Sequence, residues 1–215
     1  MRKLLLIVLL SIIANANSNA QDPHRFDEQI ESFSELTIPE SEELAVFTGS
    51  SSVRLWKNLD KDCHQIQVLN TGFGGSHMSD LLYFLDQAVL RFQPAKVYIY
   101  EGDNDLAAGK EPKAILETAK KITHKILALN PAIKIHFISA KPSPSRWKQK
   151  NQYVTFNSLL KDYCDGHQQL FYVDVWNPML GDNGRPAPHI FISDSLHMNR
   201  KGYVIWKDVI CKNYE

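Results

Sequence analysis

The sequence predicts an α/β fold in which helices cover both faces of a five-stranded parallel sheet. Three features carry that expectation. Five short runs rich in β-branched and aromatic residues recur along the chain, segments with helical periodicity separate them, and polar or glycine-rich stretches follow the strands. In such folds ligands bind at the carboxyl ends of the strands, so the third feature marks where to look for a site.

The expected strands are residues 44–48, 66–70, 96–100, 134–139 and 171–175, each short and apolar enough to be buried. Ahead of them, Phe26, Ile30 and Phe33 recur at helical spacing and predict a short amphipathic helix, with residues 21–43 as a helix and linker packed on the domain. Between the strands, Leu81, Leu85, Val89 and Phe92 share one helical face, stopped by Pro94. Ile115, Ala119, Ile122, Ile126 and Leu129 share another, opened by Pro112 and closed before Pro131. Phe156, Leu159, Leu160 and Tyr163 mark a third helix. Tyr203, Trp206 and Ile210 mark the last, with Asn199 placed to cap it. Residues 44–215 are thus read as one domain.

Residues 1–20 read differently. Arg2 and Lys3 precede an apolar run from Leu4 to Ala14, and small and polar residues follow, the order of an export signal. As a helix the run would be about 16 Å long at ~1.5 Å per residue, against roughly 30 Å of hydrocarbon, so a stable membrane anchor is not expected. Cleavage fits after Ala16 or, preferably, Ala20, which places the mature protein in the periplasm or outside the cell. With 24 basic and 24 acidic residues the chain has no net charge and no basic block, so nucleic acid is not an expected partner. The three cysteines match no zinc spacing; export permits a bridge, and buried free thiols are the alternative.

Four segments carry the chemistry. Gly49-Ser50-Ser51-Ser52 follows the first strand, and a serine on such a strand-to-helix turn is lifted above the sheet. Asn70-Thr71-Gly72-Phe73-Gly74-Gly75-Ser76 follows the second; its glycines allow free N–H groups to face an anion, and it lacks the ending of a P-loop. Glu101-Gly102-Asp103-Asn104-Asp105 follows the third. A calcium loop from Asp103 would need glycine sixth and an acid twelfth, where Ala108 and Ala114 stand, so Asn104 reads better as an amide donor. Asp194-Ser195-Leu196-His197 precedes the last helix, and an Asp three residues before a His can fold back to its Nδ1 and fix the tautomer.

In this order the blocks resemble the SGNH hydrolases, also called the GDSL esterase/lipase family, over nearly the whole mature chain. The resemblance implies a flavodoxin-like sheet of order 2-1-3-4-5 and a serine esterase needing no metal or organic cofactor. It also implies a catalytic triad of Ser51, His197 and Asp194, with an oxyanion hole from the N–H groups of Ser51 and Gly75 and the side chain of Asn104. One departure stands out: Ser50 occupies the place of the usual Asp, leaving three consecutive serines.

The implied substrate is a small-molecule or glycan ester with a short acyl group, an O-acetyl on a carbohydrate being favoured. Nothing of lid length argues for a triglyceride lipase. An O-acyltransferase with the same triad and a non-catalytic glycan-binding module are the alternatives, and no oligomeric state is indicated. Arg146 or Trp147, on the loop after the fourth strand, could contact a carboxylate or a sugar ring, and an ordinary rigid loop is the equal alternative. Trp56 and Phe73 are expected to pack around the turn. In this fold Cys211, at the end of the last helix, falls near the start of the second strand and so near Cys63, within bridging reach.

Overall fold

A computed structural model describes residues 22–39, 41 and 43–212; the expected signal segment, with its cleavage after Ala20, lies outside the described residues. Five parallel strands, β1 (Ala45–Gly49), β2 (Val68–Gly72), β3 (Lys96–Tyr100), β4 (Lys134–Ile138) and β5 (Leu170–Val173), form one sheet of order β2-β1-β3-β4-β5. The helices are α1 (Asp27–Glu31), α2 (Ser51–Arg54), α3 (Leu59–Asp62), α4 (Met78–Tyr83), α5 (Leu85–Ala88), α6 (Asp103–Ala107), α7 (Pro112–Leu129), α8 (Lys150–Asp165) and α9 (Arg200–Ile210). None is long and apolar enough to cross a membrane.

Alternation along the strands divides the core in two. Val46, Val97, Ile99, Ile135 and Phe137 face the layer of α4, α5, α7 and α8. Ala45, Phe47, Tyr98 and Tyr100 face the other layer, where Trp56, Tyr203 and Trp206 pack against them. Phe26, Ile30 and Phe33 are buried in the first layer, on a segment that alternates 3-10 turns with α1 instead of forming one helix. Arg25 donates to Asp80 at 2.5 Å and the Gln29 amide to Gly72 O at 3.1 Å, so this segment grips the elements on either side of the loop between β2 and α4.

Several boundaries differ from the sequence expectation. β2 begins and ends two residues later, and β5 lies one residue earlier at its start and two at its end. The helix expected through Leu81 and Phe92 is broken into α4, α5 and a 3-10 turn. Thr71 Oγ1 donates to Ala88 O at 2.8 Å, occupying a carbonyl that helix continuation would use.

Across the second face Phe47, Tyr98, His136 and Phe171 occupy aligned positions on four strands. Their rings stack in succession at centroid distances of 4.3, 4.3 and 4.7 Å. Burial, with the charges of Lys96 and Lys134, draws the His136 pKa down to about 4. A folded pKa below the unfolded value means the unfolded chain binds more protons between the two, so stability falls as pH drops from about 6.5 to about 4. His136→Phe should keep the stack and remove up to about 3 kcal/mol of that acid-side loss, as measured by urea denaturation at pH 7 and pH 4.5.

Cys63 and Cys211 are bonded, with Cα atoms 5.1 Å apart and a sequence separation of 148, and Cys164 is a buried free thiol. The bridge ties the end of α9 to the end of α3, beside the bidentate pair of Arg200 with Asp62. Closing so long a loop is worth about 5 kcal/mol in chain entropy, of which native bridges typically deliver about 3 kcal/mol. Cys63→Ser with Cys211→Ser should therefore lower Tm by roughly 6–12 °C in a chain of this size, as read by calorimetry.

Candidate active site

The site begins where β1 ends. Gly49 has φ +115°, and a Cβ there would stand 2.1 Å from Tyr100 O, so glycine is required for the chain to turn tightly against β3. The turn is pinned by Ser50 N–H to Tyr100 O at 3.0 Å and by Phe73 N–H to Gly49 O at 2.7 Å. From below, Tyr203 donates to Ser52 O at 2.9 Å. Helix α2 has only four residues, so the favourable field near Ser51 comes from local N–H groups more than from a helix dipole.

Of the three consecutive serines, Ser51 is the one whose hydroxyl reaches His197, with Oγ 2.9 Å from Nε2. Ser50 and Ser52 are buried. His197 Nδ1 lies 2.6 Å from Asp194 Oδ2. A carboxylate only accepts, so Nδ1 carries the hydrogen, and Nε2 is left to accept from the Ser51 hydroxyl. Asp194 Oδ1 accepts the N–H groups of Leu196 and His197, both at 2.9 Å, which fixes the carboxylate. Burial pushes the Asp194 carboxyl up, but the His197 hydrogen bond and these two N–H groups outweigh it and bring it down to about 2. Ser195 between them adopts φ +58°, uncommon for a non-glycine residue, and its carbonyl accepts from Ser145 N–H at 3.1 Å. That bond links the Asp–His turn to the loop after β4.

Gly75 has φ +86° on the loop after β2, and the space where its Cβ would lie is open. Among the described residues, neither its N–H nor that of Ser51 has an acceptor. Asn104 differs from the simple picture of a free donor. Its Nδ2 donates to Ser50 Oγ at 2.7 Å and to Ser76 O at 2.9 Å, while its Oδ1 accepts from Arg146 at 2.9 Å. The orientation is unambiguous, because the Ser76 carbonyl cannot donate and the Arg146 guanidinium cannot accept.

Arg146 is thus engaged within the protein. Its Nη1 bonds Asp103 at 2.6 Å, and Trp147 stacks on Trp176 with centroids 5.9 Å apart. Asp103 also receives Lys141, Tyr100 and Tyr153 at 3.2, 2.8 and 2.6 Å. Burial raises its pKa, but the Lys141 and Arg146 charges overcome that and hold it ionised, well below the usual carboxylate range. This network behind Asn104 escaped the sequence reading, as did Ser76. The partners lie up to 50 residues apart in sequence, so no local spacing signals them. Trp56 and Phe73 are buried beside the turn. No group of acidic, histidine and cysteine side chains that could hold a metal ion occurs among the described residues.

A parallel sheet of this strand order, carrying a hydrogen-bonded Ser–His–Asp array above its carboxyl edge, defines the class of α/β ester hydrolases. Residues 44–205 match the GDSL-like lipase/acylhydrolase family, and the chain belongs to it: the protein is a carboxylic ester hydrolase. The fold is similar to that of a candidate acylhydrolase from Bacteroides fragilis (21% identity, 88% of this chain and 95% of that one, TM-score 0.71). It is also similar to that of a GDSL-like lipase from Bacteroides thetaiotaomicron (19% identity, 88% and 96%, TM-score 0.70). A carbohydrate esterase family 3 protein from Talaromyces cellulolyticus shares the fold too (14% identity, 79% and 94%, TM-score 0.64). No curated protein matches the chain by sequence.

Proposed function

We propose that the protein is a serine esterase that removes a short acyl group through an acyl-enzyme, with Ser51 as nucleophile, His197 as base and Asp194 as its orienting acid. The observation that carries this reading is the continuous line Ser51 Oγ–His197 Nε2–His197 Nδ1–Asp194, at 2.9 and 2.6 Å. In the proposed reaction His197 takes the Ser51 proton as Oγ adds to the ester carbonyl, then returns it to the leaving alcohol. Water repeats the sequence on the acyl-enzyme. The N–H groups of Ser51 and Gly75 face the developing oxyanion. Asn104 Nδ2 completes the hole by redirecting toward it the hydrogen that it now gives Ser50.

The favoured substrate is an O-acetyl group on a carbohydrate. Support comes from openness: the Asp194 side chain is 41% exposed, so a bulky leaving group can approach. The carbohydrate esterase among the structural neighbours and the export-like residues 1–20 point the same way. The test is acetate release from acetylated xylan or acetylated monosaccharides, with and without an added sugar acceptor. Free acetate in equal amount with and without acceptor supports the esterase. Acyl transfer to the sugar in preference to water would instead make the protein an O-acyltransferase, and binding without turnover a glycan-binding module.

A further inference from the structure

We propose that Glu101 is a neutral carboxylic acid that positions the oxyanion loop: its O–H donates to Ser76 Oγ, whose hydrogen goes on to Phe73 O. The inference deepens the esterase reading, on which the oxyanion role of Gly75 and Asn104 rests. Glu101 directly follows β3 and is 2% exposed, behind the loop that carries Gly75.

Hydrogen counting leads to the proposal. Ser76 Oγ lies 2.5 Å from Glu101 Oε1 and 2.9 Å from Phe73 O. A serine hydroxyl has one hydrogen, and an ionised carboxylate and a carbonyl both only accept. With Glu101 charged, one of the two contacts would set oxygen against oxygen with nothing between them. With Glu101 protonated both are hydrogen bonds, running in one direction from Glu101 through Ser76 to Phe73.

Charge pairing gives an independent argument. Among the described residues five carboxyl side chains are buried, and four have cations: Asp62 has Arg200, Asp80 has Arg25, Asp103 has Lys141 and Arg146, and Asp105 has Lys110. Among the described residues Glu101 has none, and its Oε2 has no hydrogen-bond partner. The groups around it, Asp80 and neighbouring His77 on the loop side and Asp103 and Asp105 on α6, include three carboxylates that oppose a further negative charge. Burial first and the Asp105 charge second keep its proton bound well above the usual carboxylate range. An unpaired buried charge would be expensive, and a neutral acid avoids it.

The consequence reaches the site through Ser76. Its hydroxyl closes the turn from Phe73 in which Gly75 takes its left-handed conformation, and its carbonyl holds the Asn104 amide at 2.9 Å. One residue thus sets the spacing between two donors of the oxyanion hole, and Glu101 sets that residue. Glu101 is a positioning residue, since it touches neither substrate nor Ser51.

The test joins a spectrum to kinetics. Wild-type protein at pH 7 should show the infrared carbonyl stretch of a protonated carboxylic acid, and Glu101→Gln should lack it. With p-nitrophenyl acetate, Glu101→Gln supplies a neutral donor of the same shape and should keep kcat and KM within about threefold. Glu101→Ala and Ser76→Ala should lower kcat by about 10-fold to 10²-fold, with KM changed less than about twofold, because a misplaced oxyanion donor is felt in the transition state. Absence of the band, Glu101→Gln as impaired as Glu101→Ala, or a folded Ser76→Ala with wild-type kcat would each overturn the proposal. If wild-type protein hydrolyses no ester, the esterase reading fails separately. The infrared band and the position of Gly75 in a crystal structure of Ser76→Ala then still decide this one.

Discussion

Ser51→Ala is expected to lower kcat for p-nitrophenyl acetate by about 10⁶-fold, to the background set by binding and the oxyanion donors alone. Ser50→Ala should stay within about tenfold of wild type. The difference follows from where each hydroxyl points: Ser51 Oγ meets His197 Nε2 at 2.9 Å, whereas Ser50 Oγ receives Asn104 Nδ2 at 2.7 Å. Removing Ser50 Oγ deletes a competitor for an Asn104 hydrogen without touching the nucleophile. Removing Ser51 Oγ deletes the proposed bond-forming atom, and of the three consecutive serines it is the one whose hydroxyl meets His197. Mass spectrometry gives a second reading, because a slowly hydrolysed acyl donor should leave its acyl mass on wild type and Ser50→Ala but not on Ser51→Ala. A wild-type protein labelled elsewhere, or a Ser51→Ala protein with wild-type kcat, would remove Ser51 from the mechanism.

The sheet and the Asp194–His197 turn are both legible because each depends on short-range pattern. Val97 and Ile99 alternate with Tyr98 and Tyr100, and the structure divides them between the two core layers. Asp194 and His197 lie three apart, close enough for one turn to join them. Boundaries were less legible where polar or small residues belong to a strand. Thr71 and Gly72 read as the start of a loop, yet both pair with β1, and a Cβ on Gly72 would press within 2.4 Å of Arg54 N. The helix expected through Phe92 failed for a long-range reason, the Thr71 hydroxyl at the Ala88 carbonyl. Arg146 is a further long-range case. Its position on a loop at the carboxyl edge fits a ligand contact and an ordinary rigid loop equally well, but a buried Asp103 43 residues away claims its charge.

That claim gives the second large expected effect, at Asn104. Asn104→Ala should lower kcat by about 10²–10³-fold with little change in KM, since an oxyanion donor acts mainly in the transition state. The more informative variant is Asn104→Asp, which keeps the shape and reverses the hydrogen bonding. Aspartate can still accept from Arg146, as Asn104 Oδ1 does at 2.9 Å. Its second oxygen would then face Ser76 O, which also only accepts, across the 2.9 Å now bridged by an amide hydrogen. It would also bring negative charge to the place where the oxyanion develops. Asn104→Asp should therefore be at least as damaging as Asn104→Ala, with kcat down by about 10³-fold or more near neutral pH. Protonating the new carboxyl restores a donor, so part of that loss should return as the assay pH falls toward 5, measured relative to wild type at each pH. Asn104→Ala should show no such recovery. Equal pH profiles for the two variants would mean that Asn104 serves the fold and not the oxyanion.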